Sequence, residues 1–143
     1  MPHKIATIFT AIFFISVTLY SQDAGKIYTA EQADQLFGKV VESIKMPTST
    51  VRYWLKKSDN SLMFNIINGK LIVLGDNREL VYSSIDFTDK GEVFHLYSQS
   101  KVAEVIEKGR KTATFIEKRS SVLSITNGAF TLETSWPCPP NCN

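Results

Sequence analysis

The stretch SLMFNIINGKLIVLG, Ser61 to Gly75, decides how the rest of the chain is read. Asn68-Gly69 is the dipeptide best suited to a two-residue hairpin turn, whose central residues need positive φ. The register around it pairs Ile66 with Leu71 and Phe64 with Val73. One sheet face then carries Leu62, Phe64, Ile66, Leu71 and Val73. The other carries Met63, Ile67, Ile72 and Leu74, interrupted by Asn65 and Lys70. A strand pair that is apolar on both faces is either covered on both sides or meets a partner.

A second Asn-Gly falls at Asn127-Gly128, and LSITNGAF matches FNIINGKL locally. The same two-residue register there pairs Ile125 with Phe130 and Leu123 with Leu132. Its reverse face is Val122, Ser124, Thr126, Thr131 and Glu133, an alternation that predicts a wet surface.

Working outward, Thr29 and Gln32 form a capping-box pair ahead of a helix over Ala30 to Phe37, with Gly38 as its exit. Lys39 to Ile44 reads as a strand. In STVRYWLKK, Ser49 is the expected cap, and Val51, Trp54 and Leu55 share one helical face. After the first hairpin, GDNR turns into a strand over Glu79 to Ile85. A strand over Glu92 to Tyr97 leads into a helix capped by Ser98, striped by Val102, Val105 and Ile106 and ended by Gly109. Strands over Lys111 to Glu117, Ser121 to Thr126 and Ala129 to Thr134 complete the chain's regular structure. The expectation is an α+β fold, an antiparallel sheet with two or three short helices packed on one face. The order of elements also fits two β-α-β-β-β repeats, against the plainer reading that α+β domains reuse hairpins.

Residues 1–21 have the form of a secretory signal peptide. Lys4 gives a basic start, Ile5 to Leu19 is an uncharged apolar run, and Ser21 is a small residue at the expected cut. The run falls short of the roughly 20 residues of a spanning helix. The expected location is therefore exported, periplasmic or secreted, with no transmembrane span once the signal is removed. Residues 22–135 read as one α+β domain and 136–143 as a Cys/Pro-rich C-terminal tail. The mature part carries 15 basic and 14 acidic residues, a balance that argues against nucleic-acid binding.

Motifs for catalysis are sparse. His95 is the single histidine after the signal. No G-x-S-x-G, H-E-x-x-H or G-x-x-x-x-G-K pattern occurs. DFTDKGE, Asp86 to Glu92, has the glycine of a calcium loop, but Lys90 and Tyr97 stand where oxygen ligands belong, so it reads as a turn. No cofactor is expected. Lys108, Arg110, Lys111, Lys118 and Arg119 are expected near one end of the sheet. Arg110, Lys111, Lys118 and Arg119 are accordingly candidate partner contacts, with solubility and edge protection as the plainer alternative.

SWPCPPNCN, Ser135 to Asn143, holds both cysteines. In an oxidising compartment Cys138 and Cys142 are expected to pair as a disulfide. Polyproline II would hold them roughly 12 Å apart, so the pairing demands a turn. Trp136 beside them either pins the tail to the body or offers an aromatic contact. The residues point to a small exported non-catalytic binding domain whose partner is a protein or another envelope component. The alternative is a thiol-redox or soft-metal protein that uses Cys138 and Cys142 as the working sulfurs. The signal assignment predicts Gln22 as the mature N-terminus. An intact-mass measurement on exported protein checks it, and recovery of the full-length chain from membranes would refute it.

Overall fold

The computed structural model describes residues 23–142, so the signal segment lies outside the described residues. The first elements are β1 (Lys26–Thr29), α1 (Ala30–Phe37), β2 (Glu42–Pro47) and α2 (Thr48–Leu55). The first hairpin follows as β3 (Ser61–Ile67) and β4 (Lys70–Leu74), then a 3-10 turn (Asp76–Arg78) and β5 (Leu80–Ser83). The remainder is β6 (Phe94–Ser98), α3 (Gln99–Gly109), β7 (Ala113–Lys118), β8 (Leu123–Asn127), β9 (Phe130–Glu133) and β10 (Trp136–Cys138).

The fold is α+β, with helices packed on antiparallel sheet, and the strands divide into two five-stranded sheets. One has the order β1-β9-β8-β7-β2 and the other β10-β6-β3-β4-β5. The two orders correspond when β2, β3, β4 and β5 are matched with β6, β7, β8 and β9. In each half the strand before the helix therefore joins the sheet built by the other half. Helices α2 and α3 are the links that carry the chain between sheets. They lie in the shared core, where Val51, Trp54, Val102, Val105 and Ile106 meet Phe64, Ile66, Leu71, Ile116, Ile125 and Leu132.

The β3-β4 hairpin has the expected register, Ile66 opposite Leu71 and Phe64 opposite Val73. Asn68 and Gly69 take φ values of 50° and 74°, as a two-residue turn requires. Both faces are covered. Met63, Ile72 and Leu74 on the second face join Ala24, Phe94, Leu96 and Cys138 in a smaller core, against which Phe87 and Trp136 pack.

The second Asn-Gly behaves differently. Ile125 pairs with Leu132, Thr126 with Thr131 and Asn127 with Phe130, so the turn residues are Gly128 and Ala129. Asn127 ends its strand because its amide is used elsewhere. Its Oδ1 accepts from Lys111 N at 2.8 Å, and its Nδ2 donates to Thr114 Oγ1 at 2.9 Å and to Lys111 O at 3.1 Å. The shift keeps Leu123, Ile125, Phe130 and Leu132 on the core face, since both partners move by one. In the matched strand orders this hairpin corresponds to β4-β5, not to β3-β4. The two Asn-Gly turns are thus not equivalent positions, and their local similarity carries no argument for duplication.

The reverse face of β8 and β9 is not wet. Ser124, Thr131 and Glu133 are fully buried and Thr126 nearly so. The cause is topological. β1 and β2 occupy opposite edges of their sheet, so α1 and the 38–41 link pass over the face away from the main core. Phe37 of α1 meets Tyr28 edge-on there, 5.3 Å between ring centroids.

Smaller differences have local reasons. The capping box of Thr29 and Gln32 forms as expected. Ser49 does not cap α2, because Pro47 stands at the cap and Thr48 turns its hydroxyl to Lys111 O, 2.7 Å away. Ser98 stands at the cap of α3, yet its hydroxyl accepts from Ala24 N at 2.7 Å instead of serving the helix. The expected strand at Lys39 to Ile44 lies at Glu42–Pro47, after residues 38–41 have crossed to the far edge.

Gly109 is a position where only glycine fits. A Cβ built there would stand 2.2 Å from both Asn127 O and Asn127 Oδ1. Asn127→Ala should cost about 2–4 kcal/mol, because several buried groups lose their partner together. Gly109→Ala should be at least as costly, as helix and turn must part. Urea denaturation checks both, and a midpoint unchanged in Asn127→Ala would show that the amide is not a structural node.

Candidate functional site

The tail is part of the second sheet. Trp136, Pro137 and Cys138 pair with Leu96, His95 and Phe94 as an edge strand, and Cys138 is fully buried. Cys138 and Cys142 are joined with their Cα atoms 4.8 Å apart, and no free thiol occurs among the described residues. The X-Pro bonds before Pro139 and Pro140 are cis. Asn141 N donates to Pro137 O at 2.9 Å, which closes the turn. The disulfide ties the tail to itself, as its spacing implies. Attachment to the body comes from strand pairing, from burial of Cys138 and from Arg78.

Arg78 is the anchor. Its guanidinium makes a fork with Asp89, Nε to Oδ2 and Nη2 to Oδ1, both at 2.7 Å. Nη1 donates to Cys138 O and Nη2 to Glu92 O, each at 2.9 Å. The same group lies over the Phe94 ring. Three segments distant in sequence meet at one cation. Hydrogen bonding to Arg78 holds the Asp89 carboxyl down to about 2, against an ordinary 3.8.

Next to the anchor the chain forms a groove of about 700 Å³. Trp136, Cys142 and Leu96 line it together with Asp23, Asp59, Asn60, Asp76 and Asn77, and Ser61 and Ser98 complete it. Trp136 is half-buried and Leu96 is buried, while Asp23 and Asp59 are exposed. Asp76 organises the polar lining. Its carboxylate accepts from the backbone N–H of Asp59, Asn60 and Ser61 at 3.0–3.1 Å. Burial pushes the Asp76 carboxyl upward, but those N–H groups outweigh it and hold the group below its ordinary value. The groove is therefore anionic at neutral pH, and no basic residue lines it.

The expected basic patch is divided. Arg110 and Lys111 precede β7, and Lys118 and Arg119 lie at or beyond its end. A strand of that length sets the two groups roughly 20 Å apart. Arg110, Lys111 and Lys118 are exposed. Arg119 is 1% exposed and has an internal role. Its Nη1 donates to Asp34 Oδ1 at 2.6 Å and to Gly38 O, which docks α1 on the sheet. Its Nε donates to Ser124 Oγ at 3.0 Å and stands 3.1 Å from Glu133 Oε1, while Nη2 lies 3.6 Å from Glu117. Burial pushes the Glu117 and Glu133 carboxyls up.

His95 is partly buried, with Nδ1 3.1 Å from Ser135 Oγ, and burial lowers its affinity for a proton. Among the described residues no three His, Cys, Asp or Glu side chains converge as a metal site. No helix there is long and apolar enough to cross a membrane. Comparison with protein-family models, curated proteins and solved structures found no match for the chain.

Sequence reasoning had isolated Trp136 and the two cysteines but not the aspartates that share the groove. Nothing in local sequence marks Asp76 or Arg78, because each works on a segment far from it, and Asp59 enters the groove only through the turn that Asp76 holds. The folded backbone supplies what the sequence does not: Asn77 and Arg78 both take a positive φ of 58°, an uncommon turn from which Arg78 reaches the tail.

Asp89 titrates lower in the folded than in the unfolded protein. Its stabilisation is thus complete above pH 3.8 and is lost as pH falls through about 2. Asp76 acts in the same sense. Glu117 and Glu133 are shifted upward, so their contribution changes only above 4.5, outside that window. Asp89→Asn should flatten the acid limb of a stability–pH curve and remove about 1–2 kcal/mol at pH 7. Denaturation between pH 2 and 7 checks this, and an unaltered acid limb would refute it.

Proposed function

We propose that this chain is a small exported non-catalytic binding domain, and that its ligand seats in the groove beside the tail. The observation that carries the reading is Trp136. It sits half-buried on an edge strand and lines a cavity that aspartate and asparagine also line. An aromatic side chain in the same cavity as carboxylates that form no ion pair among the described residues suits a basic side chain with an aliphatic stem. The cation meets the indole face and the carboxylates, and the stem covers Leu96 and Cys142. The occupant is accordingly an extended protein segment that carries lysine or arginine.

Rigidity supports the same reading. The tail is bridged to itself, paired with β6 and held by Arg78, so Trp136 loses little freedom on binding. A binding role fits the tail better than thiol exchange, since the two sulfurs are already bridged and Cys138 is fully buried, which leaves Cys142 alone within reach of an attacking thiolate.

The chain has two tryptophans, and Trp54 is buried against Phe64 and Tyr82 in the main core. A change of emission on adding ligand therefore reports Trp136. Titration with a synthetic peptide of alternating lysine and alanine should shift the emission saturably at low salt and weaken as salt rises. By titration calorimetry, which needs no signal from Trp136, Trp136→Ala and the double variant Asp23→Asn with Asp59→Asn should each lower affinity by about tenfold, roughly 1.4 kcal/mol, the aspartate variant with unchanged melting. Equal binding by these variants, or none by the parent, would refute the assignment.

A further inference from the structure

A second cavity lies on the opposite side of the fold's polar balance. It measures about 580 Å³ and is lined by Thr48, Ser49, Arg52, Arg110, Lys111 and Thr112, with Ile106 at its base and Glu107 at its rim. Three cationic side chains thus share one concavity with a single carboxylate. Arg52 reaches that carboxylate only loosely, 3.5 Å from Nη1 to Oε1, and the two side chains are 50% and 74% exposed. Among the described residues neither Arg110 nor Lys111 makes an ion pair.

The backbone beneath these cations is held firmly. Lys111 N donates to Asn127 Oδ1, and Lys111 O accepts from both Thr48 Oγ1 and Asn127 Nδ2. Thr48 N donates to Thr112 O at 2.8 Å. Arg110 takes φ 56° directly after Gly109, the residue that the Asn127 contact requires. Buried polar groups from α2, β7 and β8 therefore fix where Arg110 and Lys111 start, although their charged ends are free. Lys108 does not share this freedom, since it lies over the Phe130 ring. Long cations usually spread apart on a surface. Here a fixed loop keeps two of them beside a third, which raises the local potential for an anion.

We propose that this cavity is a binding site for a compact oxyanion, a phosphate or sulfate group, held by Arg52, Arg110 and Lys111 with the hydroxyls of Ser49 and Thr112 as further donors. Planar guanidinium forks and hydroxyl donors match tetrahedral oxyanions in geometry as well as charge. Glu107 acts as an internal competitor: it occupies Arg52 when the site is empty and yields it when the anion enters. The site is independent of the tail groove, which has the opposite charge and is lined by none of these residues.

The probe is inorganic phosphate, titrated into isotopically labelled mature protein at ionic strength fixed with sodium chloride. Amide shifts should be saturable and confined to residues around Ser49, Arg52 and Arg110 to Thr112. Arg110→Gln with Lys111→Gln should weaken binding about tenfold or more, and Lys118→Gln should leave it unchanged. Glu107→Gln should tighten binding a few-fold by freeing Arg52, which a purely structural role for Glu107 would not produce. All four side chains are exposed, so each variant should melt with the parent protein. Shifts spread over lysines generally, no saturation at millimolar phosphate, or equal affinity in the Arg110/Lys111 variant would overturn the proposal.

Discussion

The rest of the structure depends on one constraint of connection. β2 and β6 each sit in the sheet completed by the other half of the chain. Helices α2 and α3 must therefore bridge the sheets and cannot lie on an outer surface. Their apolar faces supply the contacts between two sheets that share no strand ladder. The hydrogen bonds of Tyr97 reinforce this. Its ring is buried in β6, and its hydroxyl donates to the carbonyls of Leu123 and Leu132 in the opposite sheet. Gly25 permits the approach, since a Cβ there would stand 3.0 Å from the Tyr97 ring.

A second consequence concerns charge. Carrying β1 and β2 to opposite edges leaves α1 to cover a face made of serine, threonine and glutamate. Covering such a face is costly unless each polar group finds a partner. Arg119 meets most of that demand by reaching Glu133, Ser124, Asp34 and Gly38 O together. The cluster contributes little net stability, because desolvation offsets attraction. Removal of Arg119 alone would be severe, as it would strand a buried carboxylate. Glu133 Oε2 already lacks a partner among the described residues. The position of α1 is thus specified by polar matching, and that of α2 and α3 by apolar packing.

The two candidate binding regions follow from the same geometry. The anionic groove forms where the end of the chain returns to pair with β6 beside the turns at 58–61 and 76–77. The cationic cavity forms where the start of α2 meets the link from α3 to β7. Opposite potentials on one small domain allow both to operate without competition, since screening limits each to about 10 Å at ordinary salt. Each is assembled from segments far apart in sequence, as the Arg78–Cys138 and Thr48–Lys111 bonds, 60 and 63 positions apart, illustrate.

The sequence by itself determined what depends on neighbours in the chain. Thr29 and Gln32 cap α1 because both partners lie within one turn. Asn68-Gly69 sets the first hairpin because the turn and the apolar alternation agree. The spacing of Cys138 and Cys142 allows a bridge only through a turn. Tertiary structure alone decided what depends on competition for partners. Asn127 left its turn position because Lys111 and Thr114 offered its amide better bonds. Ser98 turned from capping to Ala24, and Ser49 lost its expected cap position to Pro47 as Thr48 bonded Lys111. Arg119, charged and expected at the surface, was buried because α1 crosses above it. In each of these cases a side chain has a local use and a distant one of similar strength. Only the folded arrangement brings the distant partner near enough to win.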